Sequence, residues 1–351
     1  MSERTCLRRH RRSGDALTRR LEAVSFEGPR RTITACDALM LDIVLVNWNS
    51  GEHLATCIAS VLSSPASAAA IGELIVIDND SADDSLLRAE SAVGGRLRVV
   101  RNDYNAGFGR ACNQGARLGT SELLLFLNPD VVLQPQSVER AVLALQEHPS
   151  AAVCGIKLVD QFGATARTCA RKPTVSSMCL FALGLDRLAP IRMPAYVMTE
   201  WDHQQTRLVD HVIGAFYLVR RPVFESLGGF DERFFMYLED LDLSSRILEH
   251  GWKCLYLAEV QAFHEGGGSS KKVLAKRLFY SIRSRLQYAA KHFGVPGYLA
   301  VTATSLLVEP LVRAALAVAR VDFQTLRHTA RGYTMLYSWF AGSALKRRSA
   351  T

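Results

Sequence analysis

From Leu41 onward, short apolar runs alternate with segments of helical spacing, and polar residues gather where the apolar runs stop. This alternation constrains the fold more than any single motif. Residues 41–46 are apolar and rich in β-branched side chains, which predicts a buried strand. Residues 51–62 read as a helix stopped before Pro65, and 74–77 as a second strand. Ser81-Ala82-Asp83-Asp84 reads as a capping box opening a helix through residue 92. Strands at 97–100 and 123–127 flank a helix at 109–118, and 131–147 is largely helical, ending at Pro149. Residues 155–210 are irregular; a strand at 212–219, a helix at 238–249 and a strand at 254–257 follow. Such a series predicts an α/β fold with a mainly parallel sheet, whose ligands bind beyond the carboxyl ends of the strands. The polar clusters stand at those ends: Asn47-Trp48-Asn49, Asp78-Asn79-Asp80 and Asn128-Pro129-Asp130.

The 351 residues suffice for one large domain or two ordinary ones. Three parts are expected: a disordered basic extension at 1–39, a catalytic domain at 40–270, and a helical basic tail at 271–351. Met40 directly precedes the first strand, so a translation start there and a genuine basic arm both stay open. The net charge of +8 is uneven. Residues 271–351 hold fourteen Lys and Arg against only Glu309 and Asp322, whereas 40–270 are net acidic. An acidic body excludes a nucleic-acid reader, whose contact surface would itself be basic. The eight cysteines are scattered without a C-x-x-C pair, which argues against a zinc ribbon or a disulfide scaffold and fits a reducing cytoplasm. No apolar segment of signal-peptide type follows the N-terminal arginines.

Five constellations carry candidate chemistry. Asp78 directly follows an apolar strand, where a carboxylate can accept from a base or ribose; Asp80 and Ser81 read as an ordinary turn and cap. Within 105–115, Asn105, Gly107 and Gly109 let backbone approach a ligand or a neighbouring element, and Arg110 can pair with phosphate. Cys112 stands where a dinucleotide fingerprint needs glycine. Asp130, at the tip of a buried strand, suits a hard divalent cation that takes one or two protein carboxylates and fills its shell with phosphate oxygens and water. Asp231, Glu232, Glu239, Asp240 and Asp242 crowd an aromatic stretch, where one carboxylate can be tuned as a general base. His264 ends a strand before three glycines and two serines, a place for a ligating imidazole.

In this order the clusters resemble the inverting glycosyltransferases of family 2, with a GT-A fold, and especially their rhamnosyltransferase-like branch. The resemblance runs from about Leu41 to Gly294. It rests on Ile77–Ser85, Asn105–Gly115, Asn128-Pro129-Asp130, the block Gly228–Asp242, and His264–Ser269. The family's D-x-D is reduced here to Asp130. The resemblance implies a metal-dependent enzyme in bacterial cell-surface polysaccharide synthesis, moving a sugar such as rhamnose from a dTDP- or UDP-linked donor. The acceptor would be a hydroxyl of a glycan or of a polyprenyl-diphosphate-linked saccharide. It assigns Asn47, Asn49, Asp78, Asn105, Gly107, Arg110 and Asn128 to the donor, and Asp130 and His264 to Mg²⁺ or Mn²⁺. Asp240 becomes the catalytic base, with Glu239 and Trp201 on the acceptor side. The competing reading is a non-catalytic nucleotide-sugar or glycan binder on a degenerate GT-A fold.

Beyond 270, Leu274, Leu278, Ile282, Leu286 and Ala289 recur at helical spacing with Lys and Arg opposite. Residues 293–308 carry no charge but fall short of the ~20 residues a spanning helix needs. With Tyr333, Tyr337, Trp339 and Phe340 ahead of a basic end, the tail is expected to sit peripherally on an anionic membrane, on its cytoplasmic face.

Overall fold

The computed structural model describes residues 40–93, 95–187, 191–193, 195–266 and 273–348. The expected basic extension and the Gly267–Ser270 end of the histidine loop lie outside them. The strands are β1 (Leu41–Asn47), β2 (Ile71–Asn79), β3 (Arg98–Asn102), β4 (Leu123–Leu127), β5 (Val131–Leu133), β6 (Ala151–Val159), β7 (Cys169–Ala170), β8 (Arg207–Val209), β9 (His211–Val212), β10 (Phe216–Arg220) and β11 (Lys253–His264). The helices are α1 (His53–Leu62), α2 (Pro65–Ala70), α3 (Ser85–Val93), α4 (Phe108–Ala116), α5 (Ser137–Glu147), α6 (Val175–Leu183), α7 (Arg221–Ser226), α8 (Glu239–Glu249), α9 (Leu274–His292), α10 (Gly294–Ala303), α11 (Glu309–Ala319) and α12 (Phe323–Arg348).

One sheet runs β3-β2-β1-β4-β10-β6-β11-β5, with β8 also on β11. β1, β2, β3 and β4 are parallel, and β11 runs parallel to β6; β10, β5 and β8 are antiparallel to their neighbours. The expected parallel half is therefore extended by a mixed half. β1 and β4 are buried throughout, which is why each reads as an unbroken apolar run. The two faces of the sheet carry separate cores: Leu45, Leu54, Leu125 and Leu218 on one side, Val44, Phe126, Tyr217 and Phe230 on the other.

Three departures from the sequence reading shape the site. Residues 131–147 are not one helix. Val131-Val132-Leu133 forms β5 against Ala262, Phe263 and His264, and the helix starts only at Ser137, after Gln136 at φ 65°. The Ser81 segment does not open a helix either, because the Ser81 hydroxyl accepts from Asn47 and from the Asn49 backbone N–H, and α3 begins at Ser85. The strand expected over 212–219 is broken at 213–215 into β9 and β10, which frees the Gly214 N–H. Residues 155–210 also carry more order than expected: β6 reaches Val159, and α6 is closed by a capping box between Thr174 and Ser177.

The tail divides. α9 buries Ile282, Leu286, Tyr288 and Ala289 against Phe234, Leu241 and residues of α12. Its basic side also serves the body: Lys291 reaches Asp231 and Asp242 at 2.7 Å each, and His292 Nε2 lies 2.8 Å from Asp242. Lys291 and His292 of this amphipathic basic helix thus serve packing, while Lys276 and Arg277 are exposed.

Candidate active site

A cleft of about 550 Å³ opens at the carboxyl ends of β1 and β4. Its walls combine Asn128 and Asp130 after β4, His264 at the end of β11, and the turn Met236–Leu241.

Asp130 and His264 meet because β5 pairs with the end of β11, with Val131 opposite His264. Asp130 Oδ1 lies 3.3 Å from His264 Nε2, and both side chains are mostly buried. Adjacent ligands in an octahedral shell, each at ~2.1 Å from the ion, stand about 3.0 Å apart. The pair therefore fits a divalent cation without rearrangement of the sheet. Among the described residues no group of three or more His, Cys, Asp or Glu gathers as a metal cage. Two protein ligands are the complement expected where substrate phosphates and water complete the shell.

Asp240 enters the cleft from the first turn of α8, behind Tyr237 and Leu238 at φ 69° and 65°. Two successive non-glycine residues in the left-handed region are costly, and such strain concentrates at functional sites. The Gly214 N–H donates to Asp240 Oδ2 at 2.7 Å and the Leu241 N–H to Oδ1 at 2.8 Å. Any Cβ at Gly214 would sit 3.1 Å from that carboxylate oxygen.

The neighbouring acids are otherwise engaged. Asp242 is fully buried; burial alone would raise its carboxyl, but His292, Arg246 and Lys291 hold it below the ordinary value. Asp231 pairs with Arg233 and Lys291, which overcome its partial burial and lower it strongly. Both acids tie α8 and its approach to α9. Burial, with the charge of Asp240 beside it, pushes Glu239 well above the usual carboxylate range. Glu239 lines the cleft, and its Oε2 has no hydrogen-bond partner among the described residues.

His211, which sequence reasoning missed, lies fully buried behind Asp240, with Nε2 3.9 Å from Oδ2. Burial lowers its pKa, partly offset by Asp240. Nδ1 lies 3.0 Å from Ser244 Oγ, which lies 3.0 Å from Tyr217 Oη. One donor order suits this row: Tyr217 donates to Ser244, Ser244 to Nδ1, and Nε2–H faces the carboxylate. The reverse order would aim an imidazole lone pair at Asp240. A break in a strand was the only available signal, and the sequence did not reveal it.

The donor-side candidates differ in where they stand. Asn47 is fully buried; its Nδ2 donates to Asp78 Oδ1 at 2.7 Å and to Ser85 Oγ at 2.9 Å. Asp78 is likewise buried, and its other oxygen accepts from the Ser81 N–H. Asn49 Oδ1 accepts from the Ala82 N–H. These three build the loop under the cleft, whereas Trp48, Ser50 and Asn79 line it. Asn105 lines the cleft, and its Oδ1 accepts from the Gly107 N–H. Gly107, at φ 87°, is required by packing: a Cβ would stand 2.5 Å from the Phe235 carbonyl oxygen. Arg110 does not face the cleft; it lies at the surface, 3.7 Å from Glu232. Trp201 is also turned away, stacked on His203 at 4.3 Å with Arg207 over its other side. Arg167, which donates to the Trp201 carbonyl, lines the cleft instead.

Residues 42–228 match the family described as Glycosyl transferase family 2. Over 275 residues the chain is 28% identical to the N-acetylglucosaminyl-diphospho-decaprenol L-rhamnosyltransferase of Mycobacterium tuberculosis, covering 73% of this chain and 86% of that protein. It is 25% identical over 177 residues to rhamnosyltransferase WbbL of Escherichia coli, covering 50% of this chain and 64% of that one. Among solved structures it superposes on the mannosyltransferase PcManGT of Pyrobaculum calidifontis in complex with GDP-Man and Mn²⁺. There the TM-score is 0.52 and identity 14%, over 88% of this chain and 89% of that one. The fold and site thus define a GT-A transferase. The chain belongs to glycosyltransferase family 2 and is a glycosyltransferase of its rhamnosyltransferase-like branch.

Proposed function

We propose that this chain is a metal-dependent inverting glycosyltransferase of cell-surface polysaccharide synthesis. It takes a sugar from a nucleotide diphosphate, dTDP-rhamnose first among the candidates, to a hydroxyl of a polyprenyl-diphosphate-linked saccharide. One observation carries this reading: the Asp130–His264 pair and the Asp240 carboxylate share one cleft. The name of the mycobacterial relative supports the choice of donor sugar and acceptor.

Asp130 and His264 would hold Mn²⁺ or Mg²⁺, which when bound offsets the charge developing on the leaving diphosphate. Asp240 accepts the proton of the acceptor hydroxyl as that oxygen bonds to the anomeric carbon. The bond from that carbon to the diphosphate oxygen breaks in the same displacement, so the carbon inverts. Asn105 and Asn128 stay on the donor side, with Asn47, Asn49 and Asp78 shaping the loop beneath. Glu239, whose ionised form burial and the neighbouring Asp240 disfavour, stands on the cleft wall within the acceptor's reach. His211, with Nε2 3.9 Å from Asp240 Oδ2, backs that carboxylate from the side away from the cleft.

The deciding experiment incubates the purified protein with a panel of nucleotide sugars, with Mn²⁺ or with chelator, and measures donor hydrolysis and transfer. Metal-dependent consumption of one donor is expected; binding without turnover of any donor would favour the non-catalytic alternative. Glu239→Gln, which keeps a neutral hydrogen-bonding group, is expected to retain turnover within about threefold. A loss as large as that of Asp240→Asn would move the base to Glu239. His211→Leu is expected to lower kcat about tenfold at unchanged donor KM. An unchanged kcat would reduce His211 to packing.

A further inference from the structure

We propose that the outward face of the run from α10 through α11 is a lipid-binding surface that seats the protein on an anionic bilayer, with the helix lying along the membrane plane. The proposal deepens the reading of a lipid-linked acceptor, but lipid binding itself does not depend on the chemistry of the cleft.

The polarity of this helix is inverted relative to a helix packed on a water-soluble body. Gly294–Ala319 is one continuous 26-residue run with a mean hydropathy of 1.5 in its most apolar window. Its inward positions are Gly297, Val301, Ser305, Glu309 and Ala317. Glu309, with no exposed surface, takes a buried ion pair from Arg285 of α9, and Arg285 also donates to Ser305. Its outward positions are Val295, Leu299, Leu307, Leu311 and Val318, each more than half exposed. The charged group is inside and the leucines are outside. Positions four apart drift by about 40° per step on an α-helix. The π-helical turn Thr304–Val308 absorbs part of that drift and keeps the two stripes on opposite sides.

A patch of this extent on a soluble chain marks an interaction surface, and its surroundings specify the occupant. Apart from Arg313, which folds back onto Glu309, the run has no basic group until Arg320. Past it, Val321 and Phe323 extend the exposed apolar edge, beside exposed Arg320, Arg327 and Arg331. A second copy docking on the same patch would bring these cations against their own counterparts. An anionic leaflet accepts both the leucines and the arginines. Crossing the bilayer is disfavoured because α12 packs against both α9 and α11, and its Arg327 and Arg331 would be drawn into hydrocarbon. The surface also leads to the cleft: α6 packs on α10 and the π turn, and its Phe181 lines the cleft 4.9 Å from the ring of Tyr196.

The test is flotation of the full chain with phosphatidylglycerol-containing vesicles and with pure phosphatidylcholine vesicles, at low and high salt. The expected result is flotation with the anionic vesicles that falls with salt. Leu307→Glu/Leu311→Glu should float at least about tenfold less. Both side chains are about two-thirds exposed, so donor hydrolysis and the thermal midpoint should stay at wild-type values. Three results would overturn the proposal. The double variant could float like the wild type. The full chain could stay unbound at low salt. Light scattering could show a dimer that the double variant dissolves without any flotation, which would give the face to a second copy. Resistance to alkaline carbonate extraction in cells would replace the flat seating with a span. Absence of turnover with every donor would sink the glycosyltransfer reading while leaving flotation untouched.

Discussion

Asp240→Asn is expected to lower turnover by about 10²-fold or more while donor binding stays within about twofold of wild type. The amide keeps the size of the side chain and loses its basicity. Three carboxylates stand within one turn of α8, and their surroundings separate them. Asp242 is fully buried and committed to Lys291, His292 and Arg246, so taking up a proton there would break the link between α8 and α9. Glu239 is pushed up by burial and by the charge next to it, which disfavours the ionised form a base needs. Asp240 faces the cleft and is held by two backbone N–H groups at 2.7 and 2.8 Å. Those donors fix the carboxylate's orientation without occupying all of its lone pairs. Single-turnover measurement at saturating donor and acceptor isolates the chemical step. Near-normal turnover in Asp240→Asn would sink the assignment. A drop in donor affinity equal to the drop in rate would make Asp240 a binding residue.

The parallel half of the sheet was legible because β1, β2 and β4 are buried on both faces and so read as unbroken apolar runs ending in polar residues. Asp130 and His264 could be picked out because each stands at the end of such a run, and Asp240 because acids crowd an aromatic stretch; the structure gathers all three in one cleft. The residues between them were not legible. Val131-Val132-Leu133 reads equally well as the start of the next helix, and only pairing with Ala262–His264, more than a hundred residues later, makes it a strand. That pairing is what brings the two metal-side residues together. Asn47, Asp78 and Arg110 have the chemistry of ligand-binding groups; the first two hydrogen-bond within the loop beneath the cleft, and Arg110 stands 3.7 Å from Glu232 at the surface. Side-chain type fixes what a residue can donate or accept, not which way it points. The acids around Phe234 show the same limit: of five, two clamp α9, one lies at the surface, and two reach the cleft. In the tail, α9 has the pattern of a membrane-surface helix, but the sequence did not show that its Lys291 is engaged by Asp231 and Asp242.

Asp130→Ala and His264→Ala are each expected to abolish the difference between donor affinity measured with Mn²⁺ and with chelator, a loss of about tenfold or more. The argument rests on how few ligands the protein supplies. One carboxylate and one imidazole stand at 3.3 Å, and among the described residues no group of three or more His, Cys, Asp or Glu gathers around them. Removing either leaves a single protein ligand, and a weakly held ion then depends on the diphosphate alone. An imidazole ligand also favours the softer Mn²⁺ over Mg²⁺, so Mn²⁺ should support donor binding at lower concentration. Neither variant should disturb the sheet, because β5 and β11 pair through backbone groups that both substitutions leave in place. Calorimetric titration of the nucleoside diphosphate into each variant, with Mn²⁺, with Mg²⁺ and with chelator, reads the effect without any need for an acceptor. Equal wild-type affinity under all three conditions would remove the metal from the mechanism. The charge on the leaving diphosphate would then have to be met by cationic side chains, and Arg167, already on the cleft wall, would be the first to test.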